Sequence, residues 1–338
     1  MQTKQKFTQI TPIEISTLLK THYYSLMASF YETQNLFLKE IYKRYGSIET
    51  ANIMGCFKKN AHLAILRERE SSLNFDLSLN KFWNNFQKIS KPIEKISSIV
   101  EITNIPKETV RRKIKNLVNT GFILNDKNSK GYIWNLSQKR KDSYFENVNN
   151  EIKILTKFTY KFAKRLKLNL NLELIEKEIK IQFSFYMYHL YSCELKWLKL
   201  WKTKLKDSEL ILVIIQCIIP TLQRADKNSE HLNVENIFKI IGKINEEDNS
   251  VDVSVSATSI SEVTGIPRAT CIRKLEKLMR LGFLLREAKT RRFYVNQNIS
   301  DRTKNIITKE NIGYTVEIFS EYLAIILNNL IYQRKKYY

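Results

Sequence analysis

The sequence predicts a mainly α chain with two small β-hairpins, laid out as two tandem copies of one unit. Three observations predict it. Apolar residues recur at helical spacing along most of the 338 residues. Only 8 Gly and 5 Pro leave little room for an all-β fold or for disordered linkers. One stretch occurs twice: ISSIVEITNIPKETVRRKIKNLVNTGFILNDKNSKGYIWN, from Ile96 to Asn135, aligns without a gap with ATSISEVTGIPRATCIRKLEKLMRLGFLLREAKTRRFYVN, from Ala257 to Asn296.

The offset between these stretches is a constant 161 residues. It matches Glu101 to Glu262, Ile105 to Ile266, Pro106 to Pro267, Thr109 to Thr270, Arg112 to Arg273, Leu117 to Leu278, Gly121 to Gly282 and Phe122 to Phe283. The same offset reaches outward more faintly, pairing Phe30 with Tyr191, Phe37 with Leu198, Ser47 with Ser208, Cys56 with Cys217 and Phe158 with Phe319. The chain therefore divides into residues 1–161 and 162–338, each one structural module.

Each unit opens on a long amphipathic helix, marked by Tyr23, Met27, Phe30, Phe37, Leu38, Ile41 and Tyr45 in the first copy. Phe183, Tyr186, Leu190, Trp197 and Trp201 mark it in the second. A second helix follows near 48–65 and 208–222, the latter expected to be cut by Pro220. A short helix comes next, near 81–89 and 235–244. The repeated segment and a closing helix (near 151–166 and 314–332) complete each unit.

Within the repeated segment, residues 96–102 form a short helix and Thr103-Asn104-Ile105-Pro106 a turn. Pro106 suits the start of a new helix, where its missing N–H costs nothing. That helix runs to Asn119, and Gly121 ends it. Residues 122–124 and 132–134 are short β-runs around a polar tip. This order is that of a winged helix-turn-helix. The expected fold is thus mainly α with small β-wings, two tandem winged helix-turn-helix units forming a pseudo-dimer, with the two reading segments at about 96–135 and 257–296.

A helical wheel puts Val110, Ile114 and Leu117 on one face, repeated by Cys271, Leu275 and Leu278. Arg112 and Arg273 lie opposite, where a guanidinium can fork onto a guanine edge or a phosphate. The net charge is +22, and an AT-rich codon bias toward Lys supplies part of it. Its distribution is more informative. Residues 107–140 carry nine Lys and Arg against two acids, and residues 268–300 carry the same, a net of +7 each. Codon bias does not concentrate charge on two corresponding segments, whereas phosphate neutralisation uses such a concentration. The candidate DNA-contacting residues are Lys107, Thr109, Arg111, Arg112, Lys115 and Asn116, with Lys127 and Lys130 on the first wing. In the second unit they are Arg268, Thr270, Arg273, Lys274 and Lys277, with Lys289, Arg291 and Arg292 on the wing.

The strings IPRATCIRKLEKLMRLGFLLRE and IPKETVRRKIKNLVNTGFILND resemble the winged-helix segment of bacterial transcriptional regulators of the MarR and IclR types. The helices before and after the wing resemble the MarR arrangement, in which terminal helices form the dimer interface. By matching positions, the resemblance implies DNA contacts from Thr109 and Arg112, and from Thr270 and Arg273. The acidic-then-arginine wing signature typical of MarR proteins is absent from DKNSKG.

The sequence thus leads to a regulator of transcription that binds double-stranded DNA sequence-specifically, as a monomeric pseudo-dimer or a homodimer. Alternatives are a plasmid or phage replication initiator with tandem winged helices, and a protein-interaction scaffold without DNA binding. Tyr23, Tyr24, Phe30, Trp197 and Trp201 could surround a small-molecule effector, although aromatic stripes at this spacing are more often core. No enzyme motif stands out: Glu-Ile-Lys at 151–153 and 178–180 lacks a partner acid, and no phosphate-binding glycine loop or metal-ligand spacing occurs. No cofactor is expected. Cys56, Cys193, Cys217 and Cys271 lie in apolar stretches and read as reduced core residues of a cytoplasmic protein. The longest uncharged runs fall short of the ~20 residues that span a bilayer, so no membrane partner is expected.

Overall fold

A computed structural model describes residues 9–126, 128–228, 253–296, 303 and 309–337. It is mainly helical, with two small antiparallel hairpins. The first part runs α1 (Pro12–Thr21), α2 (Tyr23–Tyr45), α3 (Ile48–Ser71), α4 (Leu79–Lys88), α5 (Ile96–Thr103), α6 (Lys107–Asn119), β1 (Ile123–Asp126), β2 (Gly131–Trp134) and α7 (Lys141–Arg165). The second runs α8 (Leu172–Ile181), α9 (Phe183–Leu205), α10 (Glu209–Asn228), α11 (Ala257–Thr264), α12 (Arg268–Arg280), β3 (Leu284–Arg286), β4 (Phe293–Val295) and α13 (Lys309–Tyr337).

Local chemistry sets the helix ends. Thr11 and Glu14 form a reciprocal capping box at α1, with Pro12 in the first turn. Asn171 caps α8 by accepting from the Leu174 amide at 2.8 Å. Gly46 ends α2 at φ +69°, and Lys206 ends α9 in the same left-handed region at φ +58°. Ser47 then caps α3 through the Thr50 amide at 3.1 Å.

The helices pack crosswise. α2 lies on α10 and α3 on α9, while α1 packs on α13 and α8 on α7. In both cases the contact made by the early helix is returned by the corresponding late one. At the centre, Phe30 meets Trp197 edge-on at 5.7 Å and Phe319 at 4.1 Å, and all three are buried. Burying one such ring contributes about 2–3 kcal/mol, so this junction belongs to the stabilising core.

Two expectations need correction. α10 continues through Pro220 to Asn228. Leu210, Leu212, Cys217, Thr221 and Leu222 are buried and the helix packs on α2, which offsets the ~3 kcal/mol that an internal proline costs. The 161-residue offset also fails before residue 46. α1 matches α8, and α2 matches α9, at an offset of 160. Phe30 therefore corresponds to Leu190 and Phe37 to Trp197, and the extra residue lies in the α9–α10 turn. α1 and α8 themselves were not expected as separate helices. The short helix expected near 235–244 lies outside the described residues.

Candidate nucleic-acid interface

In the first repeated segment, Ile99 and Thr103 fix α5 to the core. Thr103 Oγ1 donates to the Ile99 carbonyl at 2.6 Å and accepts from the Ile105 amide at 3.3 Å, which ties the turn. Thr264 repeats both bonds in the second segment, with Ile260 at 2.6 Å and Ile266 at 3.2 Å. Asn104 and Gly265 make the turn itself at φ +54° and +74°. α6 buries Val110, Ile114 and Leu117, and α12 buries Cys271, Leu275 and Leu278. The face opposite each apolar stripe is thereby turned to solvent.

Gly121 and Gly282 end these helices at φ +70° and +80°. The Phe122 amide reaches back to the Leu117 carbonyl at 2.8 Å, and Phe283 reaches Leu278 at 2.9 Å, the bond of a Schellman turn. The chain then enters a hairpin with Ile123 opposite Trp134, and in the second copy Leu284 opposite Val295. A third backbone segment joins each hairpin: Glu94 bridges Tyr132, and Val255 bridges Phe293. Sequence reading missed these bridges, because one paired residue leaves no periodic signal. Asn135 and Asn296 lock the hairpin base by donating to the Gly121 and Gly282 carbonyls at 2.9 and 3.0 Å.

The tips are held in shape by acids. The Asp126 carboxylate accepts from the Ser129 amide at 3.1 Å and from its hydroxyl, and the hydroxyl bond draws the Asp126 carboxyl below its usual range. Glu287 accepts from the Lys289 amide at 3.1 Å and from the Thr290 amide. Lys130 and Arg291 occupy corresponding left-handed positions, at φ +52° and +57°, and both are exposed.

On α6, Lys107, Arg111, Arg112, Lys115 and Asn116 are exposed and Thr109 is half-buried. Arg111 pairs with Glu108 at 2.6 Å on the open surface, a bond that contributes well under about 1 kcal/mol. On α12, Arg268 and Arg273 are exposed and Thr270 is half-buried. Arg273 donates to the Thr270 hydroxyl at 3.1 Å, and Arg268 to that of Thr258 at 3.0 Å. Lys289 and Arg291 are exposed on the second wing and Arg292 is half-buried. Lys127 lies outside the described residues.

Lys274 departs from the expected set. Its ammonium lies 2.8 Å from Asp207 and 2.9 Å from Glu209, and its side chain is only 16% exposed. It points back into the protein, away from the exposed face. Lys277 also reaches Asp207, at 3.2 Å, but keeps 40% of its side chain exposed. Burial pushes the Asp207 carboxyl up, yet the two ammonium groups outweigh it and hold it below the usual carboxylate range. Asp207 and Glu209 were not singled out from the sequence, since nothing there places the start of α10 beside α12.

Of the aromatic residues named for a possible effector site, Phe30 and Trp197 pack on each other. Tyr23, Phe30 and Trp197 are buried, Trp201 is half-buried, and the Tyr24 side chain lies outside the described set. Two cavities lined in part by Phe37 and Glu194 each hold about 20 Å³, space for a single water. No helix among the described residues is long and apolar enough to cross a membrane. No protein-family model, curated protein or solved structure matches the chain.

Proposed function

We propose that the chain is a sequence-specific regulator of transcription that binds double-stranded DNA through two recognition helices, α6 and α12, and their wings. One observation carries this reading. The same constellation of exposed arginine, buried apolar stripe, left-handed glycine and cationic hairpin tip occurs twice, in register. Each copy offers a helix face to base edges and a hairpin to the phosphate backbone. The crosswise packing of α2 on α10 and α3 on α9 supports two tandem units joined as a pseudo-dimer within one chain, because reciprocal contacts characterise a two-fold interface.

The two helices differ at Glu108 and Ala269, and at Arg111 and Ile272, so the two half-sites they read are unequal. Selection of bound duplexes from a random pool, followed by footprinting, tests the reading. The expected result is one asymmetric site, protected in two patches about one helical turn apart. Absence of salt-sensitive duplex binding would sink it and favour a protein-interaction scaffold.

A further inference from the structure

Lys113 and Lys274 occupy the same place in α6 and α12 but meet different partners. Lys113 donates to the Ser47 and Thr50 hydroxyls at 2.8 and 3.3 Å, with Glu49 further off at 3.7 Å. Lys274 is clasped by two carboxylates, those of Asp207 and Glu209. The difference originates in the turn before the helix. Gly46-Ser47 joins α2 to α3, whereas Lys206-Asp207-Ser208 joins α9 to α10, so Asp207 is the additional residue. Its position just before the first turn of α10 also suits a carboxylate, beside the positive end of the helix dipole.

Asp207 extends beyond Lys274 to Lys277, one turn further along α12. The corresponding residue of α6 is Asn116, which is exposed and has no charge to restrain. Resting on the DNA-binding reading above, we infer that Asp207 is an internal competitor of the DNA backbone: it holds the Lys277 ammonium against the protein and makes α12 the weaker of the two reading helices. A phosphate that recruits Lys277 has to replace an ion pair already in place, so the exchange releases less free energy than a contact from an unpaired lysine. Lys274 keeps Glu209 even when Asp207 is neutralised, so the charge of Asp207 acts on DNA binding chiefly through Lys277.

The full chain is tested on a duplex of about 30 base pairs selected by the wild-type protein, long enough for two half-sites. Asp207→Asn is expected to bind about threefold or more tighter at 0.2 M salt, and to steepen the log–log salt slope by about 0.9, the signature of one added phosphate contact. Lys277→Ala is expected to abolish the gain in the Asp207→Asn background. Asp207→Ser repeats the test if the asparagine variant melts early. The inference is overturned if a folded Asp207 variant binds like wild type, if the gain survives loss of Lys277, or if Lys277→Ala alone weakens binding as much as Arg273→Ala. Arg112→Ala and Arg273→Ala on the same duplex separate the two claims. If they weaken binding while Asp207→Asn is silent, only the role of Asp207 is lost; if they are silent too, or no duplex is selected, the DNA-binding reading falls and takes this inference with it.

Discussion

Gln34 Nε2 donates to Glu194 Oε1 at 2.6 Å in the buried middle of the molecule, and each is the twelfth residue of its helix. On the pseudo-dimer reading proposed above, a position that touches its own counterpart lies on the local two-fold axis. In a symmetric pair this site would set two like side chains against each other, and two carboxylates there would repel. One Gln against one Glu removes the clash and leaves a single buried acid. Burial raises the Glu194 carboxyl from its ordinary value near 4.5 to about 7, and the bond from Gln34 only partly opposes that.

A first prediction follows from that acid. The folded protein holds the Glu194 proton more tightly than the unfolded chain, so stability falls as pH rises from about 4.5 to about 7 and is level with respect to this group above that. The fall attributable to Glu194 is on the order of 3 kcal/mol. Glu194→Gln keeps the acceptor for Gln34 and removes the titration. Urea denaturation at pH 5 and pH 8 should show the variant gaining on wild type at the higher pH. An equal difference at both values would contradict the assignment.

A second prediction concerns Glu151, buried at the α2–α3–α7 junction. It accepts from Lys58 at 3.2 Å, from Arg44 at 3.5 Å and from the Tyr191 hydroxyl of α9 at 2.6 Å. Burial pushes its carboxyl up, but Lys58 and Arg44 outweigh that and hold it below the usual range. Its stabilising contribution is therefore present at neutral pH and is lost as pH falls through the lowered value. Glu151→Gln leaves two buried cations without their anion and should cost about 3–5 kcal/mol at pH 7. The deficit should narrow on acidification, as the wild-type carboxylate protonates. A variant within 1 kcal/mol (about the median of surface pairs) at pH 7 would show the cluster to be dispensable.

Much of the repeated segment was legible in the sequence because its chemistry is local. Gly121, Pro106 and the stripe Val110, Ile114, Leu117 fix α6 to the residue, and α12 follows by repetition. The supporting helices were legible only in outline. An apolar stripe tolerates a slide of one position, so the sequence alignment paired Phe30 with Tyr191 where the helices pair it with Leu190. Lys274 and Lys277 stand out as candidate contacts because charge is visible in a sequence, and their ion pairs to Asp207, some 70 residues earlier, are not.

The wing tips give a third prediction. Lys130 and Arg291 sit at positive φ, which costs a residue with a Cβ about 1–2 kcal/mol, partly offset by the greater unfolded-state entropy of glycine. Lys130→Gly and Arg291→Gly should therefore leave stability unchanged or raise it by up to about 1 kcal/mol. On the DNA-binding reading, each should still weaken duplex binding and reduce the salt slope by about 0.9. Thermal melts and salt titrations on the same samples check this. Loss of stability would place a native role for these side chains in the fold, and unchanged binding would remove the wings from the interface.

Arg112 and Arg273 supply the last prediction, and the geometry makes them unequal. Arg112 is exposed with Lys107 and Lys115 also open on its helix, whereas Arg273 shares its face with Lys277, which is tied to Asp207. Each substitution to alanine should cost on the order of 1–3 kcal/mol at a selected site, since a forked contact to a base edge is worth about that much. The loss from Arg112→Ala should be the larger, because Arg273 already donates to the Thr270 hydroxyl and gives up that bond to reach a base. Neither change should alter stability, as neither side chain is buried. Binding measured at fixed salt, with each variant footprinted, decides it: Arg112→Ala should blur one half-site and Arg273→Ala the other. If either variant loosened both halves equally, the two helices would not be reading separate sites.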